Sequence, residues 1–337
     1  MSTQDTTSHA NTVTGPLTAR EAFNGTVASS AVAAAFELGL LQELAGPTAV
    51  VPETFAAERK LLVRPVQAIA SVLAHLGVAT RQDDHLTRGP AFADVWRNKG
   101  YFLWLVGGYG RMLSDAAGLS RAEPEVPAGS LRDGAVIARA GRDYGARFVD
   151  PAFEALLAGR AFGDVADLGC GSADRLIKLA TTRPGGRFLG VELNPDAVRV
   201  ARAAVAAAGV ADRVEIVAGD IAELDPGRFP GYDLVFSFFL GHDLWPERSC
   251  VRALDGIRRA FPDAGTFLLG DTYRSDHLTG PDTPIFTLGF EYTHALMGQH
   301  IPSMAEWRAV IDRTAWRLTG IHPLEIAHSA IFELAAR

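Results

Sequence analysis

The stretch Val165-Ala-Asp-Leu-Gly-Cys-Gly-Ser-Ala-Asp174 constrains this chain more than any other. An apolar run long enough for one buried strand meets a glycine-rich turn and then a helix-forming segment. Glycine at such a turn permits positive φ and the close approach of a ligand. From there strands and helices alternate, the pattern of a doubly wound sheet. Strands are expected at Val165 to Leu168, Arg187 to Glu192, Val214 to Ala218, Asp233 to Phe238 and Thr266 to Asp271, with helices at Ser172 to Thr181, Pro195 to Ala208 and from about Pro246 to Phe261. A helical insertion near Pro284 to Met297, a helix at Met304 to Thr314 and two last strands near Trp316 to Ile321 and Ile331 to Leu334 complete the series.

The first half of the chain has a different pattern. Residues 1–17 have the composition of a disordered tail. From Arg20 an Ala-rich stretch places Phe23, Val27, Ala31, Ala34, Leu38 and Leu41 on one face of a core helix that Gly46-Pro47 stops. A second periodic segment carries Val66, Ile69, Leu73 and Leu76, and runs through Gly77 into Val78-Ala-Thr80, an Asp83-Asp84 turn and Leu86-Thr87. Helix followed by hairpin resembles a winged helix. Arg64 and Arg81 there are offset by Asp83 and Asp84, and the whole chain carries a net charge of -7 without a Lys/Arg cluster. DNA binding is therefore disfavoured and dimerisation preferred. Helices continue over residues 98–150 with a Pro/Gly break at 123–129. The expected division is a tail at 1–17, a helical, winged-helix-like dimerisation and lid domain at 18–150, and a ligand-binding α/β domain at 151–337. No apolar run reaches the roughly 20 residues of a membrane span. The two cysteines, Cys170 and Cys250, have no metal or redox spacing, so a cytoplasmic setting is expected.

Three strand ends converge on one crevice. The first carries Asp167, Gly169 and Gly171; the second ends in Glu192, an acid able to accept hydrogen bonds from both hydroxyls of a ribose; the third leads into Gly219-Asp220-Ile221, suited to an adenine amine and ring. A dinucleotide site would want the third glycine of G-x-G-x-x-G, which is missing. The ordered set D-L-G-C-G-S, G-V-E-L and A-G-D-I resembles the motifs of class I S-adenosylmethionine-dependent methyltransferases over about residues 163–271. The resemblance implies a Rossmann-like domain with a mostly parallel seven-stranded sheet. It also implies S-adenosylmethionine held by Asp167, Gly169, Gly171, Glu192, Asp220 and Ile221.

Strand four is followed by Gly241-His-Asp-Leu-Trp-Pro246, which puts a histidine and a carboxylate at the strand's carboxyl mouth. No Asn-Pro-Pro-Tyr sequence occurs, so a base amine is a poor substrate and a small molecule is expected. Gly-His-Asp resembles the two-domain small-molecule O-methyltransferases, in which this histidine deprotonates a phenol. A narrower resemblance runs through F-N-G-T-V-A-S-S-A, F-V-D-P-A-F, G-H-D-L-W-P-E-R-S-C-V, F-L-L-G-D-T and P-I-F-T-L-G-F-E-Y-T-H-A-L-M-G. Over nearly the whole chain these segments look like the bacterial α-keto acid C-methyltransferases of the phenylpyruvate C3-methyltransferase type, which make β-methyl amino acid precursors of nonribosomal peptides.

That second resemblance implies a metal ion on His242 and His294, iron by preference with zinc as the other candidate, acting as a Lewis acid on the keto acid. It also implies that Arg132 contacts the substrate carboxylate, a geometry guanidinium suits; a surface ion pair near Asp133 is the structural alternative. Asp243 has three readings: it orients His242 or a water, it serves as the base, or it is a helix N-cap. Trp104, Phe286 and Phe290 line the substrate pocket or are core. His277 and His300 read as surface residues. The enzyme expected is a homodimer that binds neither nucleic acid nor membrane, with a phenol O-methyltransferase using His242 as base as the alternative. A DNA-binding regulator that merely senses S-adenosylmethionine is a distant third.

Overall fold

The computed structural model describes residues 17–275 and 283–337. The expected tail at 1–17 therefore lies outside the described residues except for Leu17, and His277 lies outside them as well. The first half is helical. It comprises α1 (Ala19–Leu38), α2 (Leu40–Ala45), α3 (Pro52–Glu58), α4 (Val63–His75), the antiparallel hairpin β1 (Ala79–Gln82) and β2 (His85–Arg88), and α5 (Phe92–Phe102). A π-helical turn, Leu103–Gly108, leads into α6 (Tyr109–Ser114), α7 (Ala116–Leu119), α8 (Gly134–Phe148) and α9 (Asp150–Ala158).

The expected α1 needs correcting in two respects. It ends at Leu38, where Gly39 takes φ +85, rather than at Gly46, because glycine in the left-handed region ends a helix at almost no cost. Its amino-terminal half is also not core: Phe23 is 74% and Val27 46% exposed, and burial begins at Ala31. Among the described residues that half of the helix stays largely uncovered. The start itself is well determined, since Thr18 and Glu21 form a reciprocal capping box.

The second half alternates as the sequence pattern requires: β3 (Asp164–Leu168), α10 (Asp174–Thr182), β4 (Phe188–Glu192), α11 (Pro195–Ala207), β5 (Val214–Ala218), β6 (Tyr232–Phe238), α12 (Glu247–Ala260) and β7 (Thr266–Thr272). Then come α13 (Thr287–Leu296), α14 (Met304–Asp312), β8 (Trp316–Pro323) and β9 (Ser329–Ala336). The seven strands lie in the order β5-β4-β3-β6-β7-β9-β8. All neighbours through β7 are parallel, and β9 is antiparallel to both β7 and β8. This is the class I methyltransferase fold. The central strands are mainly apolar because helices cover both faces: Val165, Ala166, Leu168, Val235 and Phe236 are buried.

The order reverses between β3 and β4 on one side and β6 on the other, so the carboxyl ends of these strands open onto a crevice. On one face of the sheet Phe153 packs against Phe236 and Phe238; on the other Trp307 packs against Phe332. No helix among the described residues is long and apolar enough to cross a membrane.

Candidate active site

The β3–α10 turn owes its shape to two glycines. Gly169 has φ +78 and Gly171 φ +54, and a Cβ on Gly169 would stand 2.6 Å from Leu240. The third small position is Ala173, which also takes positive φ, 63°. Glu192 is anchored at both oxygens by backbone: Gly171 N–H donates to Oε2 at 2.9 Å and Asn194 N–H to Oε1 at 2.9 Å. Asp220 caps the short 3-10 turn beginning at Ile221, accepting from Ala222 N–H at 2.8 Å. Gly169, Glu192, Asp220 and Ile221 line a cavity of about 920 Å³ that extends to Asp243. A second cavity of about 460 Å³, lined by Asp167, Gly171, Tyr144 and Arg175, meets it at Gly169. Asp167 is buried there, and burial pushes its carboxyl up to about 7, with Arg175 pulling it down and Glu192 and Asp150 pushing it further up.

Beyond Gly169, β6 delivers the 3-10 turn Gly241–Leu244. Gly241 is required for packing, since a Cβ would lie 2.6 Å from Asp271 Oδ2 and 2.9 Å from Trp307. Asp271, at the end of β7 and fully buried, accepts His242 N–H on Oδ2 at 2.6 Å and His242 Nδ1–H on Oδ1 at 2.7 Å. From α13, His294 donates Nδ1–H to the Phe290 carbonyl at 2.6 Å. A carbonyl can only accept, so the Nδ1 hydrogen is fixed and the lone pair of neutral His294 sits on Nε2. The two imidazoles stand 5.0 Å apart between centroids, inclined at 81°.

Their electrostatics differ. Burial, neighbouring His242 and Arg132 lower the His294 pKa to about 3 against the Phe290 carbonyl's support of the cation. For His242 burial also acts downward, but the Asp271 carboxylate and its hydrogen bond, with Asp243, outweigh it and the net direction is upward. Asp243 Oδ1 lies 3.9 Å from His242 Nε2 and accepts Gln299 Nε2–H at 2.8 Å. The helix N-cap reading of Asp243 does not hold: α12 is preceded by Pro246 at its cap.

The remaining expected residues lie around this pair. Trp104, Phe286 and Phe290 are buried and mutually packed, with Phe290 4.0 Å from the His294 ring centroid. Arg132 has no ion-pair partner among the described residues. Asp133 instead caps α8, and the Arg132 guanidinium lies 5.5 Å from the Tyr109 ring centroid. His300 is exposed and bonds Glu306 at 3.0 Å. Three neighbours were not singled out for the site by sequence. Tyr109 packs 4.6 Å from Trp104, five residues earlier, because the π-turn brings i and i+5 onto one face. Asp271 carried a signal, an acid at the carboxyl end of a central strand; Gln299 carried none.

Two imidazoles with Nδ1 engaged and Nε2 left as the remaining ring nitrogen of each form a donor set that, with both rings neutral, fits a metal ion, since a ligating histidine usually donates its other ring N–H to a carboxylate or carbonyl. No group of three or more His, Cys, Asp or Glu side chains among the described residues could hold one, so the remaining positions would fall to substrate and water. The same His242–Asp271 pair also fits a general base.

A family profile described as a methyltransferase domain matches residues 165–265. The methyltransferase ungE' of Aspergillus campestris (strain IBT 28561) is 34% identical over 326 residues, 93% of this chain and 95% of that protein. The indolepyruvate C-methyltransferase of Streptomyces griseus is 29% identical over 218 residues, 64% of this chain and 63% of its own length. In fold, the structure of the mitomycin 7-O-methyltransferase MmcR superposes with a TM-score of 0.68 at 20% identity, covering 94% of this chain and 96% of that one. With the crevice, the strand order and a relative aligned along almost its entire length, the chain belongs to the class I S-adenosylmethionine-dependent methyltransferases.

Proposed function

We propose that this enzyme methylates the β-carbon of a small α-keto acid, phenylpyruvate and 4-methyl-2-oxopentanoate being the first candidates. One observation carries this reading: two imidazoles stand 5.0 Å apart, each with Nδ1 engaged and Nε2 as its remaining nitrogen, and a guanidinium without an ion-pair partner among the described residues lies close by. A phenol needs only one base, which leaves the neutral His294 without a task. A keto acid uses the whole set, its carboxylate meeting Arg132 and its oxygens facing the imidazoles. The indolepyruvate C-methyltransferase relative supports the same chemistry.

S-adenosylmethionine, when bound, supplies an electrophilic methyl group on a sulfonium. Glu192, held by two backbone N–H groups, has lone pairs left for both ribose hydroxyls. Asp220 and Ile221 take the adenine end, Gly169 and Gly171 let the backbone approach, and Asp167 offers a carboxylate to the cationic end. A metal ion on His242 and His294, iron before zinc, would supply Lewis acidity to the acceptor. Arg132 anchors the acceptor. Trp104, Phe286 and Phe290 exclude water and pack its side chain, and Asp243 stands where it can accept a proton beside His242. Residues 18–150 would serve as the dimerisation and lid domain, with exposed Phe23 and Val27 on α1 as part of a homodimer contact.

A second reading, phenol O-methylation with His242 as base, is favoured by the His242–Asp271 pair, which raises the basicity of the imidazole. The two are separated by assaying wild type and His294→Ala on phenylpyruvate and on catechol. Loss of keto acid turnover in His294→Ala supports carbon methylation; catechol turnover indifferent to that change, with no product from any keto acid, establishes the second reading.

A further inference from the structure

The residue that ties the two histidine-bearing segments together is Gln299. Helix α13 ends with Gly298 at φ +68, which lets Gly298 N–H bond the Ala295 carbonyl at 3.0 Å and Gln299 N–H bond the His294 carbonyl at 2.9 Å. That pair of bonds is a Schellman end, and it hangs the backbone of Gln299 on His294 itself. The side chain turns to the other segment, where Nε2 donates to Asp243 Oδ1 at 2.8 Å. The same Oδ1 is 3.9 Å from His242 Nε2, beyond hydrogen-bond distance. Gln299 Oε1 is buried and has no hydrogen-bond partner among the described residues. Reversing the amide would set that oxygen against a carboxylate oxygen, so charge fixes the orientation. Burying an unpaired amide oxygen is unfavourable, and among the described residues the bond to Asp243 is the one side-chain hydrogen bond of Gln299 that offsets it.

We infer that Gln299 is a positioning residue. It holds the Asp243 carboxylate away from His242 Nε2 and so keeps that nitrogen open toward the acceptor. The inference rests on the reading that His242, Asp243 and His294 act on the acceptor, and it holds whether the methylated atom is carbon or oxygen. Without the Nε2–H donor, the Asp243 side chain is no longer held in place and its carboxylate can turn into the space beside His242 Nε2.

The test is a double-mutant cycle of Gln299→Met and Asp243→Asn, with Gln299→Glu as an isosteric variant that also lacks the donor. It is run on phenylpyruvate, or on catechol if only catechol is turned over. Gln299→Met is expected to lower kcat about tenfold, to leave acceptor KM and S-adenosylmethionine affinity by calorimetry within about twofold, and to cost nothing further in the Asp243→Asn background. An undiminished kcat, or an equal loss in both backgrounds, overturns the inference. Failure to methylate phenylpyruvate while catechol reacts overturns the keto acid reading alone. If neither is turned over, long-range proton–nitrogen correlation spectra of the free protein decide: the His242 Nε2 signal moves in Gln299→Met and Gln299→Glu if Gln299 positions Asp243, and an unmoved signal refutes it.

Discussion

The imidazoles of His242 and His294 stand 5.0 Å apart and nearly perpendicular, and each donates its Nδ1–H, one to Asp271 and one to the Phe290 carbonyl. The Nε2 atom of each ring is what remains for chemistry.

The Asp271 carboxylate fixes both the tautomer of His242 and, through the His242 backbone N–H, the turn that carries it. Replacing Asp271 by Asn removes the charge while keeping the shape. The expected outcome is a fall in kcat of roughly 10- to 100-fold, the usual cost of losing such an orienting partner, with S-adenosylmethionine affinity retained. Turnover within about twofold of wild type would show that the pair is only structural.

Gly241→Ala should reach the same endpoint by a steric route. Its Cβ would stand 2.6 Å from Asp271 Oδ2 and 2.9 Å from Trp307, so Asp271 must yield. Activity is expected to fall as in Asp271→Asn, and stability to drop by about 1–3 kcal/mol through overpacking. Thermal melts and kcat measured on one preparation check both parts.

Arg132 lies at the rim of the site without a carboxylate partner among the described residues. Arg132→Met is expected to raise the KM of a keto acid roughly 10- to 100-fold, as loss of a charge-assisted hydrogen bond should. A neutral catechol, if turned over at all, should be unaffected. Equal losses on charged and neutral acceptors would assign Arg132 to the fold instead.

A pH dependence follows from Asp167, whose carboxyl is pushed up to about 7, chiefly by burial. Its folded value lies above its unfolded value of about 3.9. Its contribution to stability is thus full below the unfolded value and is lost as pH rises through about 7. The free enzyme should therefore lose stability between roughly pH 4 and 7 from this group, and Asp167→Asn should melt higher than wild type at pH 8. With Asp167 in its proposed role beside the cationic end of the cofactor, binding should strengthen over the upper part of the same range, because the ionised form is the one that attracts a cation. Calorimetry from pH 6 to 8 should show that slope in wild type and a flat line in Asp167→Asn.

Much of the second half was legible because its physics is local. Buried parallel strands read as apolar runs, and Gly169 and Gly171 mark a turn with positive φ. Other features were hidden for identifiable reasons. The apolar spacing runs unbroken through Leu38-Gly39-Leu40, so the end of α1 at Gly39 does not show as a change of period. The exposure of Phe23 depends on what other elements fail to cover. Tyr109 reaches Trp104 only through a π-turn, which shifts the expected helical neighbours by one residue. Gln299 meets Asp243 across 56 residues of chain, and no spacing rule predicts that contact.

The proposed function requires that methyl transfer goes to carbon. The most direct test gives the enzyme S-adenosylmethionine carrying a carbon-13 methyl group, together with phenylpyruvate and catechol in one reaction, and reads the products by nuclear magnetic resonance. The account predicts a labelled methyl coupled to a single neighbouring proton at C3 of the keto acid, absent in His294→Ala. A labelled methoxy signal as the sole product, unchanged in His294→Ala, would contradict it.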